Sequence, residues 1–80
     1  MSVKFTATTS KTFRLCGWAV DKSNATRVYG KVRLRVTPAG QWFAHVRNIE
    51  IGHGIEDQPS LAAMAANNFA YAYTAQQQEA

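Results

Sequence analysis

Between Arg27 and Arg47 cations and aromatic rings recur at alternate positions. Arg27, Tyr29, Lys31, Arg33 and Arg35 form one such series, and Phe43, His45 and Arg47 resume it after a short break. This chemistry suits a polyanion. Guanidinium and ammonium groups neutralise phosphates, and Arg on an exposed strand can read guanine edges in a duplex major groove. Aromatic rings stack on unpaired bases, each stack contributing about 1–3 kcal/mol. Arg14 and Trp18 join the same face if the preceding segment is also extended. The expected nucleic-acid-binding set is therefore Arg14, Trp18, Arg27, Tyr29, Lys31, Arg33, Arg35, Phe43, His45 and Arg47. The plainer explanation is solubility, since exposed strands are often Arg- and Thr-rich and basic residues protect sheet edges.

Other chemistries find little support. His45 and His53, with Cys16 as the single cysteine and no clustered carboxylates, make a poor metal site. No glycine-rich phosphate loop, nucleophile elbow or paired-carboxylate spacing occurs, so neither an enzyme nor a cofactor is expected. A lone cysteine cannot form an internal disulfide and fits a reducing compartment. Residues 1–15 hold Lys4, Lys11 and Arg14 without an apolar core of the signal-peptide kind, and Asn67 and Asn68 interrupt the longest weakly polar run. A cytoplasmic protein without a membrane partner is expected.

Charge is divided along the chain. Of 80 residues, nine are Lys or Arg and five Asp or Glu, a net +4. Residues 1–49 hold all nine cations and one acid, Asp21, leaving +8; residues 50–80 hold four acids and no cation, leaving −4. Such asymmetry fits contact with a polyanion. The chain is too short for two domains, and its stability is expected to be modest, roughly 4–12 kcal/mol. A well-filled core or a second subunit has to supply it.

The elements that must position these side chains follow from periodicity. From Arg27 to Val36, Val28, Gly30, Val32, Leu34 and Val36 alternate with the cationic series, which reads as one ten-residue strand. Gln41 to Val46 reads as its partner, with Trp42, Ala44 and Val46 inward. A three-residue loop, Pro38-Ala39-Gly40, pairs Val36 with Trp42, Leu34 with Ala44, Arg35 with Phe43 and Arg33 with His45. Val3 to Thr8 and Phe13 to Val20 read as an earlier hairpin, with Gly17 facing Gly30 and Trp18 near Tyr29. Gly52-His53-Gly54 reads as a loop, and Glu56 to Ser60 as a helix entry. On the following helix Leu61, Met64, Ala65, Phe69, Ala72 and Tyr73 form the expected sheet-facing stripe. The expected fold is α+β: a single domain over 1–80, a four-stranded antiparallel meander over about 2–51, a helix over about 58–76 and a frayed tail over 77–80. The helix's uncharged back, with Ala62, Ala66, Ala70 and Tyr71, is the expected interface for a homodimer or protein partner.

Val32-Arg33-Leu34-Arg35 and Gly40-Gln41-Trp42-Phe43-Ala44-His45-Val46-Arg47 together resemble the first hairpin of the ethylene-response type of plant DNA-binding domain, whose relatives form integrase N-terminal arms. Ala62-Ala63-Met64-Ala65 is similar to the start of that family's helix. The resemblance covers about half the chain. It implies that Arg33, Arg35 and Arg47 touch the major groove. The turn here is longer, two strands precede the matching region, and little room remains after Arg47 for the family's third strand. The order of four strands and a helix is similar to single-strand binders of the Whirly and PUR-repeat type. The functional expectation is a small non-enzymatic DNA- or RNA-binding protein. The alternative is a phage or mobile-element accessory or inhibitor protein that docks on an acidic protein surface.

Overall fold

Helix formation at the N-terminal end is decided by its two caps. The computed structural model describes residues 4–21 and 23–79, and the first regular element is helix α1, Ala7–Leu15. Thr6 caps it: the Thr6 hydroxyl oxygen accepts from Thr9 N–H at 3.1 Å, satisfying one of the free amides of the first turn. At the other end Gly17 adopts φ +90, Gly17 N–H donates to Arg14 C=O at 3.1 Å, and Trp18 N–H donates to Phe13 C=O at 2.9 Å. This is the Schellman arrangement. Its accompanying apolar contact is Phe13 against Trp18, with ring centroids 5.6 Å apart. The expected N-terminal hairpin is thus corrected to a helix followed by a two-residue strand; Val3, where that hairpin was to begin, lies outside the described residues.

The chain then forms five strands in sequential antiparallel order: β1 (Ala19–Val20), β2 (Ala25–Tyr29), β3 (Val32–Val36), β4 (Gln41–Val46) and β5 (Ile49–Ile55), ahead of helix α2 (Pro59–Glu79). The fold is α+β with an antiparallel sheet and a C-terminal helix, as expected, but with five strands and two helices rather than four and one. Between β1 and β2 the Asp21 carboxylate accepts from Ser23 and Asn24 N–H at 2.9 and 2.8 Å. Those bonds hold its pKa below the usual carboxylate value.

The stretch from Arg27 to Val36 is not one strand. Gly30, at φ +60, opens a two-residue turn with Lys31 that pairs Tyr29 with Val32, Val28 with Arg33 and Arg27 with Leu34. Glycine is the residue that adopts this backbone at little cost. Residues opposite one another share a face, so the turn inverts β2 relative to the expected reading. Arg27 and Tyr29 point towards the helices, and Thr26 and Val28 towards solvent. The β3–β4 hairpin has the register read from the sequence, with Arg33 opposite His45, Leu34 opposite Ala44, Arg35 opposite Phe43 and Val36 opposite Trp42.

β5 occupies the segment read as a glycine loop. Its pairing with β4 slips at Ala44/His45, leaving Ile51 as the extra residue of a bulge. Gly52 and Gly54 serve close packing rather than flexibility. A Cβ on Gly52 would lie 2.5 Å from Phe69 Cζ, and one on Gly54 would meet the Trp42 indole.

Both helices contribute to one core on one face of the sheet, where Phe13, Trp18, Val32, Leu34, Val36, Trp42 and Ala44 are buried. The facing of α2 corrects a second expectation. Ala62, Ala63, Ala66 and Ala70 are buried, whereas Leu61 and Met64 are exposed; Tyr71 is exposed on the outward side, where it was expected. Small side chains let the helix axis approach the Val- and Leu-rich face of the sheet, and Phe69 and Tyr73 fill the flank. Ala62, Ala66 and Ala70 therefore belong to the core and not to a free interface. The helix also continues to Glu79, through most of the expected frayed tail; Ala80 lies outside the described residues.

Candidate nucleic-acid interface

The opposite face of the sheet is uncovered, and its chemistry comes from the two central strands. Period two on β3 sends Val32, Leu34 and Val36 into the core and Arg33 and Arg35 out. On β4, Phe43 and His45 are the outward, half-buried partners of these arginines. Arg35 Cζ lies 4.7 Å from the Phe43 ring centroid, a cation–π contact that holds guanidinium and ring together. Lys31 in the β2–β3 turn and Arg47 in the β4–β5 turn lie at the same end of the sheet.

An open concavity of about 540 Å3 gathers these groups. Thr26, Lys31, Arg33, Arg35, His45 and Arg47 line it, with Asn48 at one side, and no carboxylate contributes. Among the described residues the one close contact between a basic and an acidic side chain is His53 Nδ1 with Glu50 Oε2, at 3.2 Å on β5. None of the four cations of the concavity has a carboxylate partner among the described residues. Clustered like charges without partners raise the local potential and attract anions. No three His, Cys, Asp or Glu side chains among the described residues come close enough to share a metal ion.

The fold thus brings together six of the ten expected site residues: Lys31, Arg33, Arg35, Phe43, His45 and Arg47. The remaining four lie elsewhere. Trp18 is 4% exposed and sits in the core against Phe13. Arg27 passes to the helix side, where its Nη1 donates to Asn67 Oδ1 on α2 at 3.0 Å. Tyr29 accompanies it and lies 6.3 Å from the Tyr71 ring. Arg14 is on α1, beside Lys4, Phe5 and Asp21. In their place the open face presents Thr26 and Val28. The Gly30-Lys31 pair was the sequence signal for this exchange, because a two-residue hairpin turn begins readily at glycine.

The chain matches no protein-family model, no curated protein and no solved structure.

The geometry separates structural cations from those free to meet a ligand. Arg27→Met retains the aliphatic stem but removes the bond to Asn67. It is expected to cost about 1–2 kcal/mol of stability while leaving nucleic-acid affinity within about twofold. Thermal melting and a binding titration on the same sample check this. Arg47 is the reverse case. Arg47 and Asn48 have φ 53 and 69, the left-handed pair of a two-residue hairpin turn. A non-glycine residue is disfavoured there. Arg47→Gly is expected to raise stability by about 0.5–1 kcal/mol and to weaken nucleic-acid binding about fivefold to tenfold. Denaturant unfolding and titration should therefore move in opposite directions.

Proposed function

We propose that this chain is a nucleic-acid-binding protein whose contact surface is the open face of the sheet. The observation that carries the reading is the convergence of Lys31, Arg33, Arg35 and Arg47 on one concavity to which no carboxylate among the described residues contributes. The arginines of β3 stand on the rigid centre of the sheet, so their spacing is held before a ligand arrives. His45 supplies a hydrogen-bonding ring opposite Arg33, and Phe43 supplies a planar apolar surface under Arg35. The order β3, β4, β5, α2 also supports the reading. β5 is a strand between Arg47 and the helix, the element for which the resemblance to the ethylene-response type left little room.

Neutralising four phosphates releases their condensed counterions. The logarithm of the association constant is then expected to fall with the logarithm of salt concentration with a slope of about −3 to −4. Titration of single- and double-stranded DNA and RNA at several salt concentrations tests this. Absence of binding to all four at low salt overturns the proposal.

One observation favours a second reading, a contact between two copies. The outward side of α2 exposes Leu61, Met64 and Tyr71, and α2 carries no Lys or Arg. It is a surface on which two chains of net +4 could meet without apposing cations. Light scattering on the purified chain decides between a monomer and this dimer.

A further inference from the structure

Beside the open face lies a second concavity, between the last turns of α2 and the tips of two hairpins. Its volume is about 530 Å3. Val46 contributes apolar wall from the sheet, with the buried Val32 behind it, and Tyr73, Thr74 and Gln77 come from the helix. Lys31 and Arg47 line both this cleft and the cationic concavity, so they form the rim the two share. The Tyr73 ring is held in place by near-parallel stacking on Phe69, with centroids 6.5 Å apart and planes at 15°. The cleft therefore combines a fixed ring, an aliphatic wall, an amide, a hydroxyl and two cations at the mouth.

We propose that this cleft receives one unstacked base of a single-stranded nucleic acid whose phosphates cross Lys31 and Arg47; the inference rests on the reading of the open face given above. Each component of a nucleotide has a counterpart. Tyr73 with Val46 offers the apolar and stacking surface that a flat base requires. The Gln77 amide and Thr74 hydroxyl can donate to and accept from a base edge. Lys31 and Arg47 stand where the attached phosphate must leave the cleft to rejoin a strand on the open face. A base held in a duplex cannot enter, because it would have to leave its stack and its partner. The occupant is thus a single strand.

A strand and an abasic strand of equal length and charge separate the two sites. The wild-type chain is expected to bind the base-bearing strand about tenfold more tightly than the abasic one, the lower part of the range for one stacked base. Thr74→Leu with Gln77→Leu fills the cleft with aliphatic side chains suited to a helix. This variant is expected to lose the tenfold preference and to bind the abasic strand as the wild type does. If it fails to fold, Gln77→Ala, at an exposed position, is expected to reduce the preference by about half on a logarithmic scale. Equal wild-type affinity for both strands overturns the cleft and leaves the cationic face standing. Persistence of the preference in the folded variant also overturns it, because the base is then held elsewhere. Failure of both strands to bind removes the underlying reading as well.

Discussion

Arg33→Ala combined with Arg35→Ala is expected to lower nucleic-acid affinity about a hundredfold at low salt and to make the salt slope shallower by about 2. The two side chains are neighbours on one face of the central strand, exposed, and free of carboxylate partners among the described residues. Both contacts would therefore be made with phosphate or base edge rather than exchanged for an internal ion pair. The control is Lys4→Ala combined with Arg14→Ala, which removes the same charge from the α1 end. It is expected to reduce affinity only about twofold to threefold, through the weaker long-range field. Titration by fluorescence anisotropy over a range of salt concentrations measures both quantities. Equal losses from the two double variants would show that net charge, not the sheet face, drives binding.

The second large effect concerns the face of α2 that packs on the sheet. Ala66→Leu is expected to destabilise the fold by about 2–3 kcal/mol, whereas Met64→Lys is expected to stay within about 0.5 kcal/mol of the parent. Ala66 is 0% exposed and Met64 61% exposed, although methionine is much the more apolar side chain. Three additional heavy atoms at position 66 would lift the helix from β3 and β4 or force neighbouring rotamers out of their wells. For a chain of this length the loss corresponds to a fall in Tm of about 10–20 °C. Urea or thermal unfolding of the two variants tests the facing of the helix. The opposite ranking would restore Leu61 and Met64 to the buried side of the helix.

That facing shows where sequence patterning stops being informative. A helix docks on a sheet by matching shapes, and alanine allows a closer approach than leucine or methionine. Hydrophobicity alone ranks Leu61 and Met64 above Ala62 and Ala66 and so misplaces the centre of the buried stripe, although Ala65, Phe69 and Tyr73 do pack against the core. The same limitation concealed β5. Gly52 and Gly54 have low strand preference, yet the rings of Phe69 and Trp42 occupy the space their side chains would take. At the N-terminal end the run of threonines resembled a strand. The helix signals were present as the Thr6 cap and the Leu15-Cys16-Gly17-Trp18 exit, but they are recognised only when Phe13 and Trp18 are seen to meet.

The β3–β4 hairpin was legible because two independent constraints agree. Strict alternation places Val32, Leu34 and Val36 against Trp42 and Ala44, and the Pro38-Ala39-Gly40 loop permits only the register that keeps them together. β2 lacked that agreement. Thr26 and Val28 are as compatible with burial as Arg27 and Tyr29 are with exposure, so the chain's direction after Gly30 decides the face.

By itself, then, the sequence determined that every cation precedes Asn48, that β3 and β4 pair in one register, and that Arg33, Arg35, Phe43 and His45 share a face. The tertiary structure decided which other cations join them. It withdrew Arg27 to Asn67 and left Arg14 on a helix, while the turns at Gly30-Lys31 and Arg47-Asn48 delivered Lys31 and Arg47 to a shared rim. The physical reason is that alternation is a local property of a strand. The face a strand presents depends on the turn that enters it and on the volume of whatever packs above it, and both are set by residues distant from the alternating pattern.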